Sequence, residues 1–183
     1  MTQRRFPDLW VDPENDPRTT TEAVRGERAT LVQYLDHYRM TLEMKCEGLD
    51  AEQLARRSVP PSTLSLLGLV RHLAKVEHSW FRRVMEGDAE LSRLYRTEDD
   101  PDLDFNGAGA DDAVVADAWA TWRREVAHAR EYVAAAPSLD VLGAHHDGPL
   151  ELREVLVHLI EEYARHLGHA DLLRECIDGR TGQ

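Results

Sequence analysis

The stretch ELREVLVHLIEEYARHLGHADLLRECID, from Glu151 to Asp178, decides the fold and locates the candidate site. Its apolar residues recur at helical spacing and Gly179 follows them as a stop, which predicts one long amphipathic helix. At about 100° per residue from His158, Glu162 lies at about 40°, on the border of the apolar sector, and His166 at about 80°, inside it. A carboxylate and an imidazole one turn apart on an inward face can bind one metal ion.

The same pair also has a structural interpretation. An inward histidine is often a hydrogen-bonded core residue, and a border glutamate often pairs with a nearby arginine. Two ionisable groups on adjacent turns are costly to bury without a partner, which favours the metal. His158 and His169 lie nearer to solvent, at roughly 0° and 20°, and are reserve ligands. His169 is also a candidate general base or hydrogen-bond partner of a ligand.

Three further segments carry a helical repeat of apolar residues. The first runs from Glu27 to Glu47 and the third from about Asp112 to Ala135. The second begins with Ser62 or Thr63 as its cap and ends at about Glu86. Asp50 is expected to cap a short helical turn between the first two. With the helix of the opening stretch, these segments predict an all-α four-helix bundle.

Residues 88–111 separate the second helix from the third and are polar and irregular. The segment is too long for a tight hairpin, so it predicts a crossover along the bundle that leaves the second and third helices parallel. Its aspartates lack the spacing and the closing glutamate of a calcium loop, which predicts a solvated loop. These aspartates are Asp99, Asp100, Asp102 and Asp104. No strand pattern is found.

The N-terminal residues 1–18 contain three prolines and are predicted to be an extension of the bundle. Phe6, Leu9 and Trp10 are expected to lie across its surface. Thr19 to Glu22 has the spacing of a capping box. The whole chain, residues 1–183, is of a length that one domain accounts for.

Composition limits the classes of function. The net charge is −12, which argues against a nucleic-acid partner and against anionic membranes. No run of about 18 apolar residues exists, and the N-terminus lacks the apolar core of a secretory signal, so a cytoplasmic protein is expected. Cys46 and Cys176 do not form a CxxC motif. Both are expected to be buried structural thiols.

A catalytic metal usually takes three protein ligands and leaves one position open. His72, on the border of the second helix's apolar face, is the best third ligand beside Glu162 and His166. The competing set is His72, His158 and Glu162. Two imidazoles and a carboxylate favour zinc, with nickel, iron or manganese as alternatives. Glu77, near the middle of the same face as His72, needs a donor: it either holds a ligand histidine by its other ring nitrogen or pairs with an arginine, tyrosine or tryptophan.

These residues carry a resemblance to a known family. His72 in GLVRHLAKVEHSWF, with Glu162 and His166 in HLIEEYARHLGHADLLRE, resembles the DinB-like (YfiT-like) metal-dependent four-helix bundle superfamily. The resemblance runs from about Glu27 to Asp178, and ERATLVQYLDHYRMTLEMKCEGLDAEQLARR resembles a branch of unknown function. Many members use three histidines. This chain has Glu162 in place of the middle histidine. Its set is therefore similar to the His, Glu, His set of the N-terminal domain of mycothiol-dependent maleylpyruvate isomerase. The separate C-terminal domain of that isomerase is not seen, so activity on its substrate is not expected.

The resemblance implies a divalent metal that binds a low-molecular-weight, mycothiol-like thiol and makes it a thiolate. The thiolate would attack an electrophilic substrate, in S-transfer or isomerisation. The resemblance also implies a homodimer, through exposed apolar groups near Trp10 or on the third helix. Two other functions stay open: a non-catalytic metal-binding or stress-response bundle, and a hydrolase in which the metal activates water near Glu162 or His169.

Overall fold

The computed structural model describes residues 8–19 and 23–182. Four long helices dominate these residues and confirm the all-α bundle. In chain order the helices are α1 (Glu27–Cys46), α2 (Ala51–Ala55), α3 (Leu66–His78), α4 (Leu103–Asn106), α5 (Asp112–Ala135) and α6 (Leu152–Asp178), with a 3₁₀ turn at Pro13–Asn15. Within the described ranges, no helix is both long and apolar enough to cross a membrane.

The second long helix begins later than the sequence predicts. Its cap is Ser65, whose hydroxyl accepts a hydrogen bond from the Gly68 amide at 3.1 Å. The Ser62 hydroxyl accepts instead from the Leu64 amide at 3.2 Å, which closes a local turn ahead of the helix. The predicted short helix α2 is confirmed, and Asp50 caps it in a reciprocal capping box.

The second long helix also changes character before its end. After His78 it continues as a π-helical segment, Ser79–Met85, in which the amide of Glu86 reaches the carbonyl of Phe81 at 2.9 Å. The predicted end of this helix at about Glu86 is confirmed, but its last turns are π-helical, which the sequence did not predict. A π turn inserts one extra residue, so it rotates the side chains that follow, and such turns are frequent at functional sites.

Helices α3 and α5 run parallel, as the long crossover predicts. Arg82 of the π segment pairs with Glu125 at 2.6 Å. Further along both elements, the Tyr132 hydroxyl donates to the carbonyl of Met85 at 3.2 Å. In these two contacts the residue numbers increase in the same direction on both helices, so the helices are parallel. Residues 88–111 must therefore return along the bundle. This confirms the crossover between the second and third long helices.

A very small sheet joins the end of α5 to the start of α6. Strand β1 (Leu142–Gly143) pairs antiparallel with β2 (Leu150–Glu151). The prediction of no strand is wrong here, because a ladder of two residues leaves no periodic pattern in the sequence. The sheet holds the following loop against the π segment: the Ala144 amide donates to the Val84 carbonyl at 2.9 Å. A Cβ on Gly143 would lie 3.0 Å from that same oxygen, so the close approach requires glycine.

One apolar core lies between the long helices and includes Leu42, Leu73, Val126 and Leu159. The N-terminal extension packs more deeply than expected, since Trp10 is only 1% exposed. Its indole lies under the Lys45 ammonium (4.0 Å) and the Arg180 guanidinium (3.6 Å). Trp10 therefore offers no exposed apolar surface for a dimer. Phe6 and the capping box of residues 19–22 fall wholly or partly outside the described residues.

The two cysteines differ. Cys46 is buried, and burial raises the pKa of its thiol to about 12. Cys176 is exposed, which corrects the expectation that both thiols are buried. It lies in the last turns of α6, on the same exposed side as Leu172 and Glu175.

Candidate metal centre

The structure brings His72, Glu162 and His166 together at the rim of the bundle. Each contributes one ligand atom, and the three atoms lie within 4.8 Å of one another. Glu162 Oε2 lies 3.3 Å from His166 Nε2 and 3.8 Å from His72 Nε2. The two imidazole rings meet edge to face with centroids 4.6 Å apart. The pair on α6 and the histidine on α3 thus converge on one point.

The spacing fits a small divalent ion. Bonds of about 2.1 Å in a tetrahedral site place ligand atoms about 3.4 Å apart. The observed separations of 3.3 and 3.8 Å bracket that value. The side chains are 17–27% exposed, so the ligand atoms face a solvent-accessible opening rather than the core. Two imidazoles, one carboxylate and an open side together match a catalytic site rather than a closed structural one.

Asp104 holds the far nitrogen of His72, and the sequence did not predict this contact. Its Oδ2 lies 2.8 Å from His72 Nδ1 and 3.0 Å from Lys75 Nζ. Asp104 is 1% exposed, so the prediction of a solvated loop is wrong at this position. A carboxylate behind a ligand histidine fixes its ring and tautomer and strengthens its outer nitrogen as a ligand. The only sequence signal for it is the apolar pair that flanks it, Leu103 and Phe105.

Helix α4 places Asp104 by several contacts with α3. The Arg71 guanidinium donates to the carbonyls of Leu103 and Asp104, both at 2.9 Å. The ring of Phe105 stacks on His72 at 5.1 Å between centroids. Gly68 gives that ring its space, because a Cβ there would lie 2.8 Å from Phe105 Cδ1. The crossover is therefore fastened to α3 at the level of the site.

Glu77 does not hold a ligand histidine. Its carboxylate is wholly buried and accepts hydrogen bonds from Arg39 Nε (2.9 Å) and Nη2 (2.8 Å). The Tyr163 hydroxyl donates to it at 2.9 Å and itself accepts from the Trp122 indole at 2.8 Å. Of the two alternatives that the sequence left open for Glu77, this is the pairing with an arginine and a tyrosine. The carboxylate that holds a candidate ligand histidine is therefore Asp104, which contacts His72, and not Glu77.

The other two histidines of α6 lie at the edge of the cluster. His158 Nε2 is 3.3 Å from Oε1 of Glu162, the oxygen that faces away from His166. Its side chain is 39% exposed, and it is not part of the convergent group. His169 Nδ1 lies 3.4 Å from Nδ1 of His166, so it can hold that ring from its far side. The geometry therefore favours His166 over His158 as the second imidazole.

Electrostatics in the cluster favour a charged carboxylate. Hydrogen bonds from His166 and His72 lower the pKa of Glu162, against the opposing effect of burial. For His72, burial acts to lower the pKa, but hydrogen bonds to Asp104 and Glu162 outweigh it and the net shift is upward. The hydrogen bonds from His72 and Lys75 likewise overcome burial and lower the pKa of Asp104. Both carboxylates are thus held in their charged form, and they favour positive charge on the His72 imidazole that lies between them.

Two clefts open beside the cluster, and both include Glu162 and His158. One, of about 400 Å³, is lined by all three of the converging side chains. Its lining is His72, His158, Glu161, Glu162, Arg165, His166 and His169. The other, of about 470 Å³, lies between the π segment and the loops after it and after β1. Sequence periodicity gives no sign of this second cleft, because two irregular loops form it.

A crossed-over four-helix bundle with a His, Glu, His cluster on two facing helices is the arrangement of a DinB-like protein. The family model described as mycothiol S-transferase matches residues 30–179, which is most of the chain. The chain therefore belongs to the mycothiol S-transferase family. This family suggests S-transfer chemistry with a small-molecule thiol related to mycothiol. No match was found among curated proteins.

Proposed function

We propose that this protein is a metal-dependent enzyme that transfers a mycothiol-like thiol onto an electrophilic small molecule. One divalent ion would be held by His72, Glu162 and His166. Zinc is the ion that this donor set suits best, with nickel, iron and manganese as alternatives. The observation that carries the proposal is the convergence of the three ligand atoms within 4.8 Å in a chain of this family.

The chain's own residues account for how such a site would work. A bound divalent ion supplies the positive charge that lowers the pKa of a coordinating thiol. Asp104 orients His72 through Nδ1, and His169 supports His166 in the same way. Glu162 presents Oε2 to the cluster while Oε1 faces His158. These contacts fix the donor atoms before a substrate arrives, which lowers the cost of assembling the reactive geometry.

The two clefts provide for two substrates. Because both open at Glu162, molecules in the two clefts would meet beside that carboxylate. The transfer forms a carbon–sulfur bond as the leaving group departs with the electron pair of its own bond to carbon. The thiol proton would go to solvent, or to His158 or His169, whose side chains line the cleft.

Elemental analysis of the purified protein tests the metal first. We expect about one equivalent of a divalent metal, lost in His166→Ala and largely kept in the matched variant His158→Ala. Loss of a direct ligand should weaken affinity by more than the roughly 10–100-fold typical of residues that only support a ligand. Metal content that follows His158 and ignores His166 would contradict the assignment.

A conjugation assay then tests the chemistry. Mycothiol or a related cysteinyl thiol, with a chromogenic electrophile, should react faster with metal-loaded protein than with the His166→Ala variant. Metal-dependent ester hydrolysis that needs no thiol would support the hydrolase instead. Metal binding without either activity would support the non-catalytic bundle.

We also propose that residues 1–183 act as one domain and that two copies associate through the face of α5. The partly buried Trp119 borders a groove of about 550 Å³ there, together with Met40, Met44 and Arg123. Sedimentation at micromolar concentration would show a dimer that Trp119→Glu dissociates. A single monomeric species in the unmodified protein would contradict this part of the proposal.

A further inference from the structure

The cleft between the π segment and its neighbouring loops carries positive charge in a chain whose net charge is −12. Arg83 and Arg93 both line it. In the described part of the chain, neither guanidinium group makes a hydrogen bond or an ion pair with another residue. The neighbouring Arg82, by contrast, pairs with Glu125 at 2.6 Å. Two unpaired guanidinium groups in one cleft give it a local charge opposite to that of the whole molecule.

Local backbone features build this cleft. The π turn carries Trp80 and Arg83, and the loop after β1 is tied to the same turn through the Ala144 amide and the Val84 carbonyl (2.9 Å). This tie places His145 flat against Trp80, with ring centroids 5.5 Å apart and 16° between the planes. The wall of the cleft is therefore held by packing and hydrogen bonding on both sides.

A chain of contacts connects this wall to the metal cluster. Trp80 packs on His158, with ring centroids 4.7 Å apart. His158 in turn lies 3.3 Å from Oε1 of Glu162. A molecule in the cleft would therefore lie beside the ligand carboxylate without having to displace any of the three ligand side chains.

Among the side chains that line this cleft, Glu162 is the one carboxylate, and it pairs with neither arginine. Glu162 is engaged by His158 and His166, each at 3.3 Å. Asp147, at the edge of the loop, lies 3.1 Å from His146 Nε2, and both of these side chains are more than three-quarters exposed. The positive charge thus stays available to a ligand.

We infer that this cleft, lined by Arg83 and Arg93, is the binding site for a carboxylate group of the electrophilic substrate. The inference rests on the proposed function and adds the substrate's charge class and its place. Guanidinium groups bind carboxylates through paired N–H···O bonds that fix orientation as well as charge. The thiol would occupy the other cleft, which all three side chains of the cluster line together with charges of both signs, Glu161 and Arg165.

A matched pair of electrophiles tests this directly: 4-chloro-3,5-dinitrobenzoate and its uncharged methyl ester. In both, the thiolate sulfur bonds to the ring carbon, chloride leaves with the electron pair of the carbon–chlorine bond, and the thiol proton goes to solvent. Arg83→Gln and Arg93→Gln should each lower kcat/KM for the acid about tenfold or more and leave the ester nearly unchanged. Arg57→Gln makes the same charge change at an exposed position near the other end of the bundle and should alter neither.

The thiol provides a second comparison in the same assay. Its KM should be unchanged in both arginine variants. If the KM for the thiol rises while the ratio of kcat/KM for the acid to kcat/KM for the ester stays constant, the cleft binds the thiol and the inference is wrong. Equal losses for acid and ester would show that the arginines support the fold of the site rather than bind a carboxylate, and would also overturn it.

Binding without reaction separates this inference from the proposed function. Calorimetry with 3,5-dinitrobenzoate, which has no leaving group, should show binding that both arginine variants weaken and that His166→Ala retains. If His166→Ala abolishes binding of 3,5-dinitrobenzoate and both arginine variants bind it normally, the carboxylate binds at the metal and the cleft is not its site. If no electrophile reacts but binding depends on Arg83 and Arg93, the transferase proposal fails while the anion site stands.

Discussion

Replacing Asp104 with asparagine should weaken metal binding while leaving the three ligands in place. Oδ2 of Asp104 meets His72 Nδ1 at 2.8 Å and Lys75 Nζ at 3.0 Å. Asparagine keeps the size and one carbonyl oxygen, so it can still orient the ring. It loses the negative charge that makes the outer nitrogen of His72 a stronger ligand. Such losses cost about 10–100-fold in affinity, or about 1.4–2.7 kcal/mol.

The same substitution should also lower the stability of the fold. Oδ1 of Asp104 is buried and has no hydrogen-bond partner in the described part of the chain. If the asparagine turns its oxygen toward His72, its amide nitrogen takes the position of Oδ1, where it has no acceptor. An unsatisfied buried donor costs about 1–3 kcal/mol. Affinity must therefore be measured well below the unfolding temperature of the variant, so that the two effects do not mix.

A competition titration of zinc against a chromogenic chelator measures the affinity. Asp102→Asn is the matched control, since Asp102 is exposed in the same loop, two residues away. We expect the control to bind like the unmodified protein and Asp104→Asn to bind about 10–100-fold more weakly. Equal affinities in two folded variants would refute the reasoning, because the Asp104 contact would then contribute nothing to a ligand histidine.

Three further predictions concern the rest of the molecule. Arg39→Met leaves the Glu77 carboxylate buried without its cation, and urea unfolding should show a loss of about 3–5 kcal/mol; a loss below about 1 kcal/mol would contradict the buried pair. Burial lowers the pKa of His78 below its ordinary 6.5, so protonation favours the unfolded chain and stability should fall as pH drops through that value. His78→Gln should flatten this part of the curve of Tm against pH, and an unchanged slope would assign the loss to other groups. One thiol of the native protein should react rapidly with Ellman's reagent and disappear in Cys176→Ser, whereas fast reaction of Cys46 would contradict its burial.

The sequence predicts most of the fold because long apolar stripes determine it. Helix α5 has the bounds that the stripe and its flanking residues predict, and α1 and α6 differ by one residue. The π segment Ser79–Met85 is different in kind. It shifts a few hydrogen bonds from four residues back to five, which disturbs a seven-residue pattern too little to be detected. Hydrophobic periodicity therefore cannot predict the cleft that this π segment forms with the loop after Gly143.

Asp104 shows a second limit of the sequence. Whether an aspartate in a polar crossover is solvated depends on which surface the crossover covers, and local composition does not encode that. Here Arg71 and Phe105 fix the crossover to α3, and this contact turns a loop residue into the support of a candidate ligand. Only the apolar neighbours of Asp104 hint at the outcome.

Glu77 and Glu162 together show why a carboxylate at the border of an apolar face is a better ligand candidate than one at its centre. Glu77 lies near the middle of its face, is wholly buried, and needs Arg39 and Tyr163 to compensate its charge. Once so paired, it has no way to exchange a partner with solvent. Glu162 lies at the border of its face, 27% exposed, where histidines approach from the protein side and two clefts open from the other. A reaction between two dissolved molecules requires that second arrangement. The carboxylate must be dry enough on one side to fix a cation and open enough on the other for both substrates to reach it.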